Sequence, residues 1–179
     1  FICGLMCVIM AQYHYVLSKD TGYDARRIAT SDIYFESDSE RDAARQFFRG
    51  LPYVEDVESA SYPPCIGMSG MRILNESGQS LFSSRYCVET ENYPKMMGMT
   101  MKEGRMARER NEAVVNETFA KTMRWGDDVV GRIVHQGNTG LGDLRVVGVL
   151  KDFHTASFYV SQQPLIVRCG RFGGSIHVR

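Results

Sequence analysis

Several kinds of site are missing from this 179-residue chain. Its five cysteines (Cys3, Cys7, Cys65, Cys87, Cys169) contain no CxxC pair, and no Cys/His spacing matches a zinc site. There is no GxxxxGK[ST] phosphate loop and no GxSxG nucleophile elbow. The histidines, His14, His135, His154 and His177, are scattered and form no HxxxH pair. There is no excess of either charge: Lys+Arg and Asp+Glu both number 21, for a formal net charge of zero. Nucleic acid is thereby excluded as the main partner, since phosphate binding needs clustered basic residues. The nearest approach to a basic run, RMARER from Arg105 to Arg110, is interrupted by Glu109. Proline is scarce, at 5 residues, beside 44% hydrophobic and 23% charged residues, a composition that excludes disorder and bounds the chain to one domain or two small ones.

The chain begins instead with an apolar run. Residues 1–11, FICGLMCVIMA, are almost entirely apolar, and the first formally charged side chain is Lys19. A signal-peptide core would carry a basic region before it and a small-residue cleavage site after it, and neither is visible. A buried soluble helix is the second reading. The third is the exit half of a transmembrane helix, in a chain that opens on Phe1 rather than Met and is expected to be a fragment. Apolar run, aromatic cluster (Tyr13, His14, Tyr15), then charge (Lys19, Asp20) is the order of a helix leaving a bilayer, which favours this reading. Cys3 and Cys7, spaced i, i+4, fit helix packing.

Thr21-Gly22 stops this helix, and residues 28–35 read as a strand. Ser37-x-x-Glu40 is a capping box. Behind it Ala43, Ala44, Phe47, Phe48 and Leu51 form one apolar stripe of a helix over 38–50, with Gly50 as a left-handed cap and Pro52 as a stop. Val54 to Tyr62 is predicted as a strand, giving a strand–helix–strand unit with the helix on the sheet's face. Pro63-Pro64 marks a boundary. Arg72–Asn75 and Ser83–Glu89 are predicted as a hairpin, and Pro94 begins a one-turn helix, Tyr93 to Met97, that Gly98 ends. Ala113–Val115 is a short strand. Asn116 caps a helix with Phe119 and Met123 at i, i+4, and Gly126 ends it. Val129–Val134 and Leu144–Leu150 read as paired strands, and Pro164–Val167 and Ser175–Arg179 as two more, with Gly170, Gly173 and Gly174 linking them.

Each candidate for chemistry has a plainer alternative. Met68, Met71, Met96, Met97, Met99, Met101 and Met106 could hold Cu(I), but no His or Cys is interleaved, and methionine fills irregular gaps. Gly137, Gly140 and Gly142 suggest a nucleotide loop, but their Gly-x-x-Gly-x-Gly spacing and the strand that follows fit a hairpin turn instead. Asp127-Asp128 could be a metal pair, though adjacent carboxylates after a helix are usually solvated. Lys151, Asp152 and His154 could support acid–base chemistry, yet they are near neighbours on a strand end, where successive side chains point to opposite faces. Cys65 and Cys87 could pair in an oxidising compartment, or stay buried free thiols. Trp125, the single tryptophan, suits a packing anchor. No catalytic, cofactor-binding or metal-ligating residue is assigned.

Laid end to end, these segments resemble the extracytoplasmic domain of a MacB-like/FtsX-like ABC-transporter permease. The likeness rests on KDTGYDARRIA (19–29) after the exiting helix with its Gln12, the capped helix, and NYPKMMGMTMKEGR (92–105). AVVNETFAKTMRWGDDVVGRIV (113–134), VVGVLKDFH (146–154), PLIV (164–167) and SIHVR (175–179) complete the order. The resemblance implies an α+β, two-part periplasmic domain. Residues 1–22 would be the exit half of a transmembrane helix, 23–62 and 173–179 a porter-like part, and 63–172 an inserted sabre-like part. The porter sheet would be incomplete at its C-terminus.

What the resemblance implies for function is a permease that passes ATP-driven motion of its membrane helices to the extracytoplasmic domain, for export or extraction of a substrate. Its partners would be a cytoplasmic ABC ATPase on a separate chain, a second copy or a paired permease, a periplasmic adaptor, and the membrane. It would sit in the inner membrane with this domain in the periplasm, bind no cofactor and catalyse nothing itself. A membrane-tethered sensor or binding module without transport activity is the competing reading. An enzyme using Lys151, Asp152 and His154 is the third.

Overall fold

The computed structural model describes residues 1–31, 33, 35–60, 68–137, 140, 142–155, 160–170 and 175–179. Pro63-Pro64, Cys65, Gly173 and Gly174 lie outside the described residues.

The first helix, α1 (Ile2–Ser18), has no capping side chain, and none of its side chains is buried. Ile2, Leu5, Met6, Val8, Ile9 and Met10 are each more than half exposed. Helix α2 (Asp38–Arg49) starts as its sequence predicts: the Glu40 N–H donates to Ser37 Oγ at 3.2 Å, and Glu40 Oε2 accepts from the Glu36 N–H at 3.0 Å. Its end differs from expectation. Gly50 has φ −76°, an ordinary right-handed value, and its N–H bonds back to Gln46 and Phe47 in a tightened last turn.

The apolar stripe of α2 is only partly covered, with Ala43 and Phe47 exposed and Ala44 and Phe48 half-buried. Phe47 is 67% exposed, whereas Arg41 is buried, and Arg45 and Arg49 reach Glu58 at 3.1 and 3.0 Å. Glu58 lies on β2 (Val57–Ala60), only 1% exposed, and also accepts from Thr90 Oγ1 at 2.7 Å. An ion-pair network, not an apolar seam, therefore ties this helix to its sheet. Strand β1 (Ala29–Ser31) is shorter than predicted, and it does not pair with β2. Strand β10 (Ser175–Val178) lies between them, antiparallel to both.

The remaining strands close on themselves. Strands β3 (Ser69–Leu74) and β4 (Ser80–Glu89) form the predicted hairpin. Strand β7 (Ile133–Gln136) pairs with β3 on one side and β8 (Leu144–Leu150) on the other. Strand β6 (Glu112–Asn116) runs parallel to β8 and antiparallel to β9 (Leu165–Cys169), and β9 returns parallel to β4. The result is a six-stranded ring, β4-β3-β7-β8-β6-β9 and back to β4. Strand β5 (Met101–Gly104), unforeseen in the sequence, pairs with the second half of β8. The segment Val129–Val130, predicted as strand, forms a turn before β7.

All six ring strands contribute to one core. Met71, Ile73, Ala113, Val115, Val134, Leu144, Val146 and Ile166 pack together, with Phe82 and Tyr86 against them, on the inner face. Helix α4 (Glu117–Thr122), capped by Asn116 Oδ1 as predicted, lays Phe119 and Ala120 onto this core, and Trp125 stacks edge-to-face on Phe119. A second core covers the outer faces of β4, β6, β8 and β9, where Cys87, Val114, Val147, Leu150, Val167 and Phe153 meet. The short helix α3 (Tyr93–Met96) forms a third cluster with Met97.

Candidate functional site at the foot of the first helix

Four residues after α1 fasten it to three separate elements. Asp20 Oδ1 accepts from the Gly22 N–H at 2.8 Å, which turns the chain sharply. The Thr21 carbonyl accepts from the His154 N–H at 2.8 Å, just past the end of β8. Gly22, at φ +79°, lies so close to Phe153 that a Cβ there would sit 2.8 Å from Phe153 Cβ. Only glycine fits that approach. Tyr23 then meets the Phe153 ring edge-to-face, with centroids 6.3 Å apart.

Asp24 completes the junction. Its N–H donates to the Met97 carbonyl at 2.8 Å, at the end of α3. Its carboxylate pairs with Arg26 at 2.9 Å and with Arg179, beyond β10, at 3.1 Å. The hydrogen bond from Arg26, with the charge of Arg179 behind it, holds the Asp24 carboxyl at about 2, below its ordinary 3.8. Arg179 also donates to the Met96 carbonyl at 2.7 Å and to the Asp24 carbonyl at 3.2 Å. A groove of about 810 Å³ runs along this junction, lined by Leu17, Lys19, Asp20, Tyr23, Arg26 and Thr100 among others. Geometrically the arrangement is a joint, since a displacement of the end of α1 reaches the ring, α3 and β10 within a few residues.

The Lys151-Asp152-Phe153-His154 corner belongs to the same joint, with each residue in a structural position. Asp152 accepts from the Thr118 N–H at 2.9 Å and from Thr118 Oγ1 at 2.8 Å, which fastens the first turn of α4. Phe153 is buried, and Lys151 is exposed, with its backbone N–H on the Thr100 carbonyl.

The other candidates disperse. Met71 packs inside the ring, Met68 and Met106 in the outer core, and Met96 and Met97 beside Tyr93. Asp128 pairs with Arg132 at 3.3 Å on the surface. His135 faces Asp143 at 2.9 Å, His177 lies edge-to-face on Tyr93, and His14 sits exposed on α1. Cys87 is a buried free thiol whose pKa is pushed well up by burial and by Glu89, while its suggested partner Cys65 falls outside the described residues. Among the described residues no group of three or more His, Cys, Asp or Glu side chains gathers as a metal site.

Sequence reasoning missed the Asp24–Arg179 pair, which joins residues 155 positions apart and leaves no local signal. Gly22 was legible only as a helix stop. Its close contact with Phe153 depends on where the fold returns the end of β8.

The chain matches the family model of the MacB-like periplasmic core domain over residues 7–175. It is similar in structure to the periplasmic region of MacB from Actinobacillus actinomycetemcomitans, at 17% identity and TM-score 0.58, over 92% of this chain and 78% of that one. It is also similar to the extracellular domain of the noncanonic ABC-type transporter YknZ from Gram-positive bacteria, at 15% identity and TM-score 0.53, over 84% and 83%. At these identities the likeness is one of α+β fold. Comparison with curated protein sequences gives no match.

Proposed function

The chain belongs to the family of MacB-like periplasmic core domains, and on that footing we propose that it relays motion from the membrane part of an ABC transporter permease to substrate outside the cytoplasm. It is an extracytoplasmic domain of such a permease. In the proposed reading α1 is the outer end of a membrane helix. A helix of 17 residues with no buried side chain has no apolar partner that buries it among the described residues, and hydrocarbon would supply one. Among the described residues no helix is long and apolar enough to cross a membrane by itself.

The relay reading rests chiefly on the joint, where Thr21, Gly22 and Asp24 bind the end of α1 to Phe153, His154, Met97 and Arg179. A helix tethered by a slack linker would pass on no displacement. A cytoplasmic ATPase on a separate chain would supply the motion, in an inner-membrane assembly of two permease copies or a paired permease, with a periplasmic adaptor as a further partner. The domain itself would catalyse nothing. Residues 23–62 and 173–179 would form the membrane-near part, and 63–172, which contains the ring, the inserted part that meets substrate.

The test is Gly22→Val in the full-length permease reconstituted with its ATPase. Hydrolysis that continues while substrate extraction falls by about tenfold or more supports the relay. Extraction at the wild-type rate, in a variant whose circular dichroism is unchanged, rules it out.

A further inference from the structure

One charged residue inside the six-strand ring has no counter-charge among the described residues. Arg168 follows Ile166 by two positions on β9, so its side chain points to the same inner face. Register sets it opposite Ala113 of β6 and Val88 of β4. It is only 6% exposed. Its Nη2 donates to the Arg110 carbonyl at 3.1 Å, and its Nε has no hydrogen-bond partner. The ionisable groups that act on it are the phenol of Tyr86 and the guanidinium of Arg110, which has the same sign. Burial, more than any neighbour, pushes the guanidinium pKa down.

Other buried or half-buried arginines in the fold are paired. Arg41 meets Asp38, Arg45 meets Glu58, and Arg179 meets Asp24. Arg168 takes part in no ion pair among the described residues. An interior charge with an unbonded donor is costly, and a planar guanidinium is suited to a forked bond with a carboxylate or phosphate.

Arg168 also sits at a particular end of the ring. Helix α4 follows β6 and covers the end where β6 finishes. Arg168 lies at the opposite end, where β6 begins and β9 finishes, beside exposed Arg110 and half-buried Tyr86. We propose that this end of the ring is an oxyanion-binding site, in which Arg168, Arg110 and the Tyr86 hydroxyl hold a carboxylate or phosphate group of a ligand. The site is independent of the joint below α1, so either reading can fail without the other.

The test uses the whole 179-residue chain in uncharged detergent, with unfolding followed by Trp125 fluorescence at fixed ionic strength. Inorganic phosphate and acetate are titrated separately. The expected result is a rise in Tm of about 4 °C at a tenfold excess over Kd for at least one of them. A stronger response to phosphate assigns a phosphate-bearing ligand, and a stronger response to acetate a carboxylate. Arg168→Met should remove the response and start from a Tm no lower than that of the unliganded parent, because it deletes an uncompensated charge. Arg110→Gln should weaken the apparent affinity by about tenfold. No response from the parent chain, or an equal response from Arg168→Met, overturns the proposal. Should Arg168→Met not fold, Arg110→Gln decides: a weaker response supports the site, and an undiminished one overturns it.

Discussion

Gly104 and Gly148 are register partners across β5 and β8, and neither position has room for a side chain. A Cβ on Gly104, at φ +73°, would lie 2.2 Å from the Val147 carbonyl oxygen, and one on Gly148 would lie 2.3 Å from the Arg105 carbonyl oxygen. Both clashes are with backbone, which no rotamer change relieves. This close crossing brings Arg105 to Glu112 and Lys102 to Glu117, at 2.5 and 2.9 Å. Gly148→Ala should destabilise the chain by about 2 kcal/mol or more, and Gly104→Ala by a similar amount, read from urea unfolding. Parent-like midpoints in both variants would show that β5 does not pack this closely on β8.

Glu112 predicts a pH dependence. It is 1% exposed and accepts from Arg105 at 2.5 and 2.8 Å, from Arg145 at 3.2 Å, and from the Arg108 N–H at 3.0 Å. The Arg105 bonds hold its carboxyl at about 2, below the ordinary 4.5, against the opposing pull of desolvation. A folded-state pKa below the unfolded one gives stability that is complete above the unfolded value and is lost as pH falls through the folded one. Glu112→Gln should therefore cost about 2 kcal/mol near neutral pH, and the gap to the parent should narrow steadily between about pH 4.5 and 2. A gap that stays constant over that window would mean that the carboxylate charge contributes nothing there.

Asp24→Ala tests the joint directly. Asp24 pairs with exposed Arg26 and with half-buried Arg179 while itself partly open to solvent, so global stability should fall by no more than about 1 kcal/mol. Local order should change more. Hydrogen exchange at residues 20–26 and 94–98 should accelerate by at least about tenfold, while the ring strands keep their protection. Unchanged exchange at Asp24 and Met97 would show that the backbone bond between them needs no help from the carboxylate.

Local chemistry made several elements legible. Ser37 and Asn116 are caps with short-range partners, the β3–β4 hairpin is joined by a turn at Asn75–Gln79, and residues 165–167 of β9 read as a continuous apolar run because both faces are buried there. Closure of the ring was not legible. The β4–β9 pairing joins strands about 80 positions apart, and no periodicity encodes which strand a buried run will meet. Strand β5 escaped for a related reason: its pairing with β8 depends on two glycines that meet only in the fold. The joint was visible in its parts, Thr21-Gly22 and the Lys151–His154 corner. Only the tertiary structure brings those parts together.

Helix α2 is where pattern and packing part most clearly, and it gives the last prediction. Ala43, Ala44, Phe47 and Phe48 share a helical face, and that face alone suggests a conventional apolar seam against a sheet. The arginines at 41, 45 and 49 share another face, at i, i+4 and i+8, and it is this face that meets β2 through Glu58. The two faces should respond oppositely to mutation. Phe47→Ser removes a ring that is 67% exposed, and should shift stability by no more than about 0.5 kcal/mol. Glu58→Ala leaves Arg45 and Arg49 only their longer pairs with Asp42 and Asp56, at 3.7 and 3.8 Å, and leaves Thr90 without its acceptor, so it should cost roughly 3 kcal/mol. A double-mutant cycle of Glu58→Ala with Arg45→Met should recover part of that loss, because the second substitution removes the stranded charge. If Phe47→Ser proves the more damaging of the two, α2 docks on β2 by its apolar face and the ion pairs are secondary.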